Sequence, residues 1–223
     1  MVGIVLVSHS ATLAAGVQQL VDQMVHGRVP FALAAGTDNA DMPIGTDPMR
    51  VLQAIETVYS ADGVLVLMDL GSALMSAEAA IELLPPEQQT QIYLCEAPLV
   101  EGALAAAVAA AGGAPIERVL AEARQAQTAK LAQLAPVLRS PPPSTTLAAP
   151  PAERSRATRH APPDELFQTF VVPNRLGLHA RPAARLVGLA SAYEATITIS
   201  NVDQVADVAS INQLLTLGAR QGD

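Results

Sequence analysis

Apolar runs of strand length alternate with stretches whose apolar residues recur at helical spacing through the first 135 positions. The first run, Val2 to Val7, is continuous, the pattern of a parallel strand buried on both faces. Behind it Leu13, Val17, Leu20, Val21 and Met24 mark a helix, and Val29 to Ala35 predicts a second strand. Asp47-Pro48 starts the next helix, with aspartate as cap, proline in first position and Val51, Ile55 and Val58 on the buried face. Val64 to Met68 predicts a third strand, followed by a helix marked by Leu74, Ile81 and Leu84 that stops at Pro85-Pro86. A fourth strand around Gln91 to Cys95 leads into a helix over Leu99 to Ala111, and a last helix runs from about Pro115 to Leu134. Such alternation predicts an α/β fold, a doubly wound parallel sheet with helices on both faces and right-handed crossovers. The polar loop from Gly36 to Thr46 is long for a compact unit, and loops of that length are often functional.

The texture changes over residues 136–164, where Pro141-Pro142-Pro143, Pro150-Pro151 and Pro162-Pro163 predict a semi-rigid, disordered linker with no role for His160. Past it, residues 165–223 predict a second, smaller unit. Phe167 to Val172 reads as a strand, His179 to Val187 opens a helix, Ala195 to Ser200 is a further strand, and a short helix capped by Ser210 runs to Leu217.

Half of the 223 residues are apolar while only 3% are aromatic, so the core is built from Ala, Val, Leu and Ile. No apolar run reaches bilayer length, and the N-terminal run lacks the basic lead-in of a signal peptide, which points to a cytosolic protein without a membrane partner. A net charge of -8 argues against nucleic acid as a partner. The single Cys95, within an apolar strand pattern, reads as a buried inert thiol.

The chemistry concentrates where the first strand ends, at Ser8-His9-Ser10. His9 stands at a strand-to-helix turn whose free N–H groups favour an anion, and the strands' C-terminal ends share one edge with Asp69. With the first and third strands adjacent, the Asp69 carboxylate reaches one ring nitrogen of His9 and fixes its tautomer. The other nitrogen is then free to attack phosphorus. The hydroxyls of Ser8, Ser10 and Ser72 and backbone N–H groups near Gly36, Thr37 and Gly71 are candidates to cradle the phosphoryl oxygens. The residues alone leave two plainer roles open: His9 packing or capping a loop, and Asp69 capping the following helix.

The blocks Ile4-Val5-Leu6-Val7-Ser8-His9-Ser10, Pro43-Ile44-Gly45-Thr46-Asp47, Met68-Asp69-Leu70-Gly71-Ser72-Ala73-Leu74 and Cys95-Glu96-Ala97-Pro98-Leu99-Val100-Glu101-Gly102 closely resemble the phosphotransferase subunits of phosphoenolpyruvate-dependent dihydroxyacetone kinases. Over residues 1–135 the resemblance implies a mannose-type IIA fold, a transiently phosphorylated His9, Asp69 as its partner carboxylate, a homodimer and no cofactor. Gly177-Leu178-His179-Ala180-Arg181-Pro182-Ala183-Ala184 resembles the signature of the phosphocarrier HPr, an α+β open-faced sandwich. That resemblance makes His179 a second phosphorylatable histidine, at a helix mouth where Arg181 screens phosphoryl charge. The chain stops before that family's further strand and final helix, so the carrier unit is expected to be truncated, with an open sheet and little apolar burial, and poorly folded unless a partner supplies the gap.

Two such histidines joined by a spacer describe a relay. The implied donors are phosphoenolpyruvate, enzyme I and HPr, and the acceptor is ADP in a nucleotide-binding kinase subunit, with dihydroxyacetone phosphorylated on a third subunit. The expected docking face is the rim of His9, including residues 36–47 and 96–102. Two other functions compete: the IIA component of a mannose-type sugar permease, and a non-catalytic module that signals through its phosphorylation state. The HPr-like half and the lack of a sugar-type IIB segment favour the kinase over the first, and the lack of a DNA-binding or ATPase domain disfavours the second.

Overall fold

The computed structural model describes residues 1–138, 166–174, 177–201 and 204–223, so the expected linker lies outside them from residue 139 onward. The first unit contains β1 (Gly3–Ser8), α1 (Ala11–Val25), β2 (Phe31–Ala35), α2 (Pro48–Val58), β3 (Val64–Met68), α3 (Gly71–Glu82), α4 (Pro86–Gln89), β4 (Ile92–Cys95), α5 (Leu99–Ala111) and α6 (Ile116–Leu138). The second contains α7 (Ala180–Ala190), β5 (Thr198–Asn201), β6 (Gln204–Asp207) and α8 (Ile211–Thr216).

The four strands of the first unit form a parallel sheet in the order β2-β1-β3-β4. Every residue of β1 is buried, as its unbroken apolar run predicts for a central strand covered on both faces. Alternate side chains divide between two layers. Ile4, Leu6, Leu65 and Leu67 enter the layer under α1, α5 and α6. Val5, Val7, Val64 and Val66 enter the layer under α2 and α3. Burial of side chains of this size is worth about 1.5–3 kcal/mol each, which fixes the strand faces. Gly3 lets α2 come close: a Cβ there would lie 2.3 Å from the Val58 carbonyl oxygen.

The chain leaves β1 for one neighbour, β2, and returns to the other, β3, so the sheet reverses its winding between β1 and β3. Ligand crevices of doubly wound sheets form at this switch point, outside the strands' C-terminal ends. His9 and Asp69 both sit there.

Several boundaries differ from the sequence reading. The helix expected to end near Leu134 runs to Leu138. A short helix, α4, follows the Pro85-Pro86 stop. The strand expected over Phe167 to Val172 is not formed. Val172 exchanges two backbone hydrogen bonds with the chain end, through the Asp223 carbonyl and the Gly222 N–H, both at 3.0 Å. Phe167 and Phe170 stay exposed, because no described strand lies beside them. The strand expected from Ala195 begins at Thr198 and pairs antiparallel with β6, which the sequence reading did not assign.

The gap expected in the second unit is filled by the first. Ala183, Ala184, Val187, Ile211, Leu214 and Leu217 are buried in one cluster with residues of α5 and α6. Helix α5, with Ala103 and the whole Ala105–Ala110 segment buried, is enclosed from both sides, as an all-round apolar helix requires. Ser210 caps α8 by accepting from the Gln213 N–H at 3.2 Å, the role expected of it.

Candidate functional site

Register places the two central groups. Val7 pairs with Met68, and the Asp69 N–H donates to the Val7 carbonyl at 3.3 Å, so one further step along both strands sets Ser8 level with Asp69 and the next residue, His9, turns back onto its carboxylate. The Asp69 carboxylate then collects four donors. Oδ1 accepts from His9 Nδ1 at 2.8 Å and from the Leu70 N–H at 2.8 Å. Oδ2 accepts from the His9 N–H and the Ser8 hydroxyl, both at 2.9 Å. Burial pushes the Asp69 carboxyl upward, but the donors from His9, Ser8 and Leu70 outweigh it and hold the group below the ordinary carboxylate range. Helix α3 has Leu70 at its N-cap position and no side-chain cap, and the Asp69 carboxylate is directed at His9, Ser8 and the Leu70 N–H.

An ionised Asp69 at Nδ1 requires the proton on that nitrogen, which leaves the Nε2 lone pair outward. Nε2 lies against the Ser72 hydroxyl in the first turn of α3. The Gly71 and Ser72 N–H groups in that turn find no acceptor among the described residues. With 18% of its side-chain surface accessible, the imidazole is sheltered on the Asp69 side and open on the other. The ring nitrogen left unprotonated therefore faces a helix N-terminus, where an anion is favoured.

The remaining predicted residues take separate positions. Ser8 is fully buried beneath Asp69. The Ser10 hydroxyl caps α1, accepting from the Leu13 N–H at 3.2 Å. Gly36 adopts φ +69°, which favours glycine, and its N–H donates to the Ser8 carbonyl at 3.1 Å. The Thr37 N–H donates to the Pro43 carbonyl at 3.2 Å, and its hydroxyl donates to the Met42 carbonyl at 2.6 Å. These two N–H groups therefore brace the 36–46 loop, while those of Gly71 and Ser72 remain open. The loop closes on the site through the Gly45 N–H, which donates to the His9 carbonyl at 3.0 Å.

Thr46 escaped the sequence reading as a site residue. Its hydroxyl hydrogen-bonds the Ser76 hydroxyl at 2.8 Å and ties the loop to α3. The signal was present in Ser72 and Ser76, four apart on one helix face. Arg50 is committed to the Ala35 carbonyl at 3.0 Å and to Asp38, so it is spoken for at the loop's far side. Burial pushes the Cys95 thiol up, in keeping with an inert thiol. Among the described residues no helix is long and apolar enough to cross a membrane.

His179 occupies the N-cap position of α7, with its side chain exposed and no ring hydrogen bond among the described residues. Its N–H donates to the Gly177 carbonyl at 3.1 Å. Arg181 points to Gln23 of α1, with Nη2 to Oε1 at 3.2 Å. The two histidines are thus unlike: one is oriented by a carboxylate, and the other stands free at a helix mouth.

A histidine held by a carboxylate at the switch point of a parallel sheet is the setting in which comparison with known proteins places this chain among phosphotransferase-type IIA domains. Residues 3–120 match the family described as PTS system fructose IIA component, of mannose type, and residues 167–223 match the PTS HPr component phosphorylation site. The chain belongs to the DhaM family. It is 43% identical over its whole length to the phosphoryl donor subunit DhaM of the PEP-dependent dihydroxyacetone kinase of Providencia stuartii, and 44% identical to that of Escherichia coli. It covers 45% of each of those two relatives, so it spans about half their length. A DhaM from Listeria innocua, 37% identical over 122 residues, is 96% covered and corresponds to 55% of this chain.

Proposed function

We propose that this chain is a phosphoryl-transfer subunit of a dihydroxyacetone kinase and that Nε2 of His9 carries the phosphoryl group. The observation supporting this most directly is the 2.8 Å hydrogen bond from Nδ1 to Asp69, which leaves Nε2 as the free nucleophile. The Nε2 lone pair attacks the phosphorus of a donor phosphohistidine in line; the new N–P bond forms as the donor N–P bond breaks. Asp69 stabilises the positive charge that develops on the ring. Ser72 and the open N–H groups of Gly71 and Ser72 receive the phosphoryl oxygens. In the second step the terminal oxygen of ADP, bound in a partner subunit, attacks the same phosphorus and releases His9 neutral.

His179 is the second phosphorylatable histidine, with HPr and enzyme I as upstream donors. Phosphoenolpyruvate, enzyme I and HPr are incubated with the chain, and acid-labile phosphate is mapped by mass spectrometry. Phosphate is expected on both histidines. In His9→Ala it should persist on His179, and in His179→Ala it should persist on His9 through direct donation. Absence of label from His9 in the unaltered chain refutes the proposal, and label confined to His9 removes the relay.

A further inference from the structure

The face made by α5 and α6 is an interaction surface, and we propose that its occupant is the second unit of the same chain, selected by a buried polar latch. Glu122 of α6 is only 5% accessible, on a face otherwise built of small apolar residues such as Ala123 and Ala126. A carboxylate in that position is tolerable only with hydrogen-bond donors at hand. They come from Asn212 of α8, itself 4% accessible: Nδ2 donates to the Glu122 carboxylate at 2.8 Å and to its carbonyl at 2.7 Å. The Asn212 N–H adds a long contact to the same carboxylate at 3.5 Å. Ninety residues separate the pair, so no local preference creates it.

A second pair brackets the first. Arg118, one turn earlier on α6, meets Asp207 at the end of β6 at 3.0 Å. An apolar contact alone would let the second unit slide over an alanine-rich face. The latch fixes its register, because any shift strands Glu122.

Docking has a consequence for phosphoryl passage, which rests on the function proposed above. His179 opens into a cleft of about 860 Å³ between the two units, lined also by Glu101, Leu104, Lys130, Gln133 and Leu178. Of the segments around His9, residues 8–10, 36–47 and 69–72 stay outside that cleft, and the 96–102 segment reaches it only through Glu101. The docked arrangement therefore keeps the two histidines in separate openings, and passage from His179 to His9 within one chain requires the latch to release.

The test uses the full chain and reads amide hydrogen exchange over residues 116–133, with sedimentation in parallel. In the unaltered chain this segment should be protected equally at low and high protein concentration. Asn212→Ala and Glu122→Ala break the latch from opposite sides, and each should raise exchange about tenfold or more. Asp207→Arg should do the same, and adding Arg118→Asp should restore protection. Glu122→Gln, whose amide oxygen still accepts from Asn212, should stay protected. Unchanged exchange in both alanine variants overturns the latch, and protection that disappears on dilution assigns the surface to a second copy and overturns the proposal likewise. The same variants should speed movement of label from His179 to His9. If His179 takes no label at all, the relay fails while the exchange measurement still decides the interface.

Discussion

Asp69→Asn isolates the electrostatic role of the site while keeping its shape. The carboxylate accepts from four donors, two on each oxygen. An amide has a single oxygen, so whichever way it turns, its NH2 faces two of them. With the NH2 at the Oδ2 position, Ser8 can rotate its hydroxyl, but the His9 N–H loses its acceptor, a cost of roughly 1–3 kcal/mol. With the NH2 at the Oδ1 position, it donates to Nδ1 and moves the ring proton to Nε2, which abolishes the nucleophile. In either orientation the negative charge that supports the phosphorylated ring is gone, and hydrogen bonds to charged groups are worth about 1.5–3 kcal/mol. That corresponds to a slowing of roughly 10-fold to 150-fold. Rapid-quench measurement of acid-labile phosphate on His9, with phosphorylated HPr as donor, reads this directly. A rate within twofold of the unaltered chain, in a variant that remains folded, refutes the assignment of Asp69 as the group that orients His9.

Three further outcomes follow from the same geometry. Ser72→Ala removes the hydroxyl at Nε2 and should slow His9 phosphorylation by about 2-fold to 12-fold, the worth of one neutral hydrogen bond, with thermal stability nearly unchanged. Because the folded Asp69 carboxyl lies below its ordinary value, its stabilisation is complete above the usual carboxylate range and is lost as pH falls through the folded value. Acid unfolding followed by circular dichroism should therefore steepen below about pH 4, and Asp69→Asn should flatten that limb. Gly3→Ala drives a Cβ against the Val58 carbonyl and should cost about 1–3 kcal/mol, read as a loss of about 2–4 °C in Tm per kcal/mol.

The sequence by itself determined the order of the strands and of every helix but the short α4 in the first unit, and placed His9 at a strand end. Unbroken apolar runs, helical spacing and the Asp47-Pro48 start are local signals, and the structure forms β1, α2 and β3 where they fall. The sequence also brought forward Asp69 and Ser72 as candidates, but it left Asp69 divided between a cap and a histidine partner. That choice belonged to the tertiary structure. Only the pairing of β3 with β1 brings Asp69 to His9 across 60 residues, and only the geometry of α3 leaves the cap to Leu70.

The loop shows the same division, since residues 36–46 were legible as one long polar connection while the hydrogen bonds that commit the Gly36 and Thr37 N–H groups were not. What supplies the apolar burial of the second unit was out of reach for a physical reason of the same kind. Its apolar residues looked too few for a core because the surface that completes it, α5 and α6, lies in the other unit. Periodicity reports what one element needs to bury; which distant element buries it is settled by packing, and here packing joins Asp69 to His9 and Asn212 to Glu122.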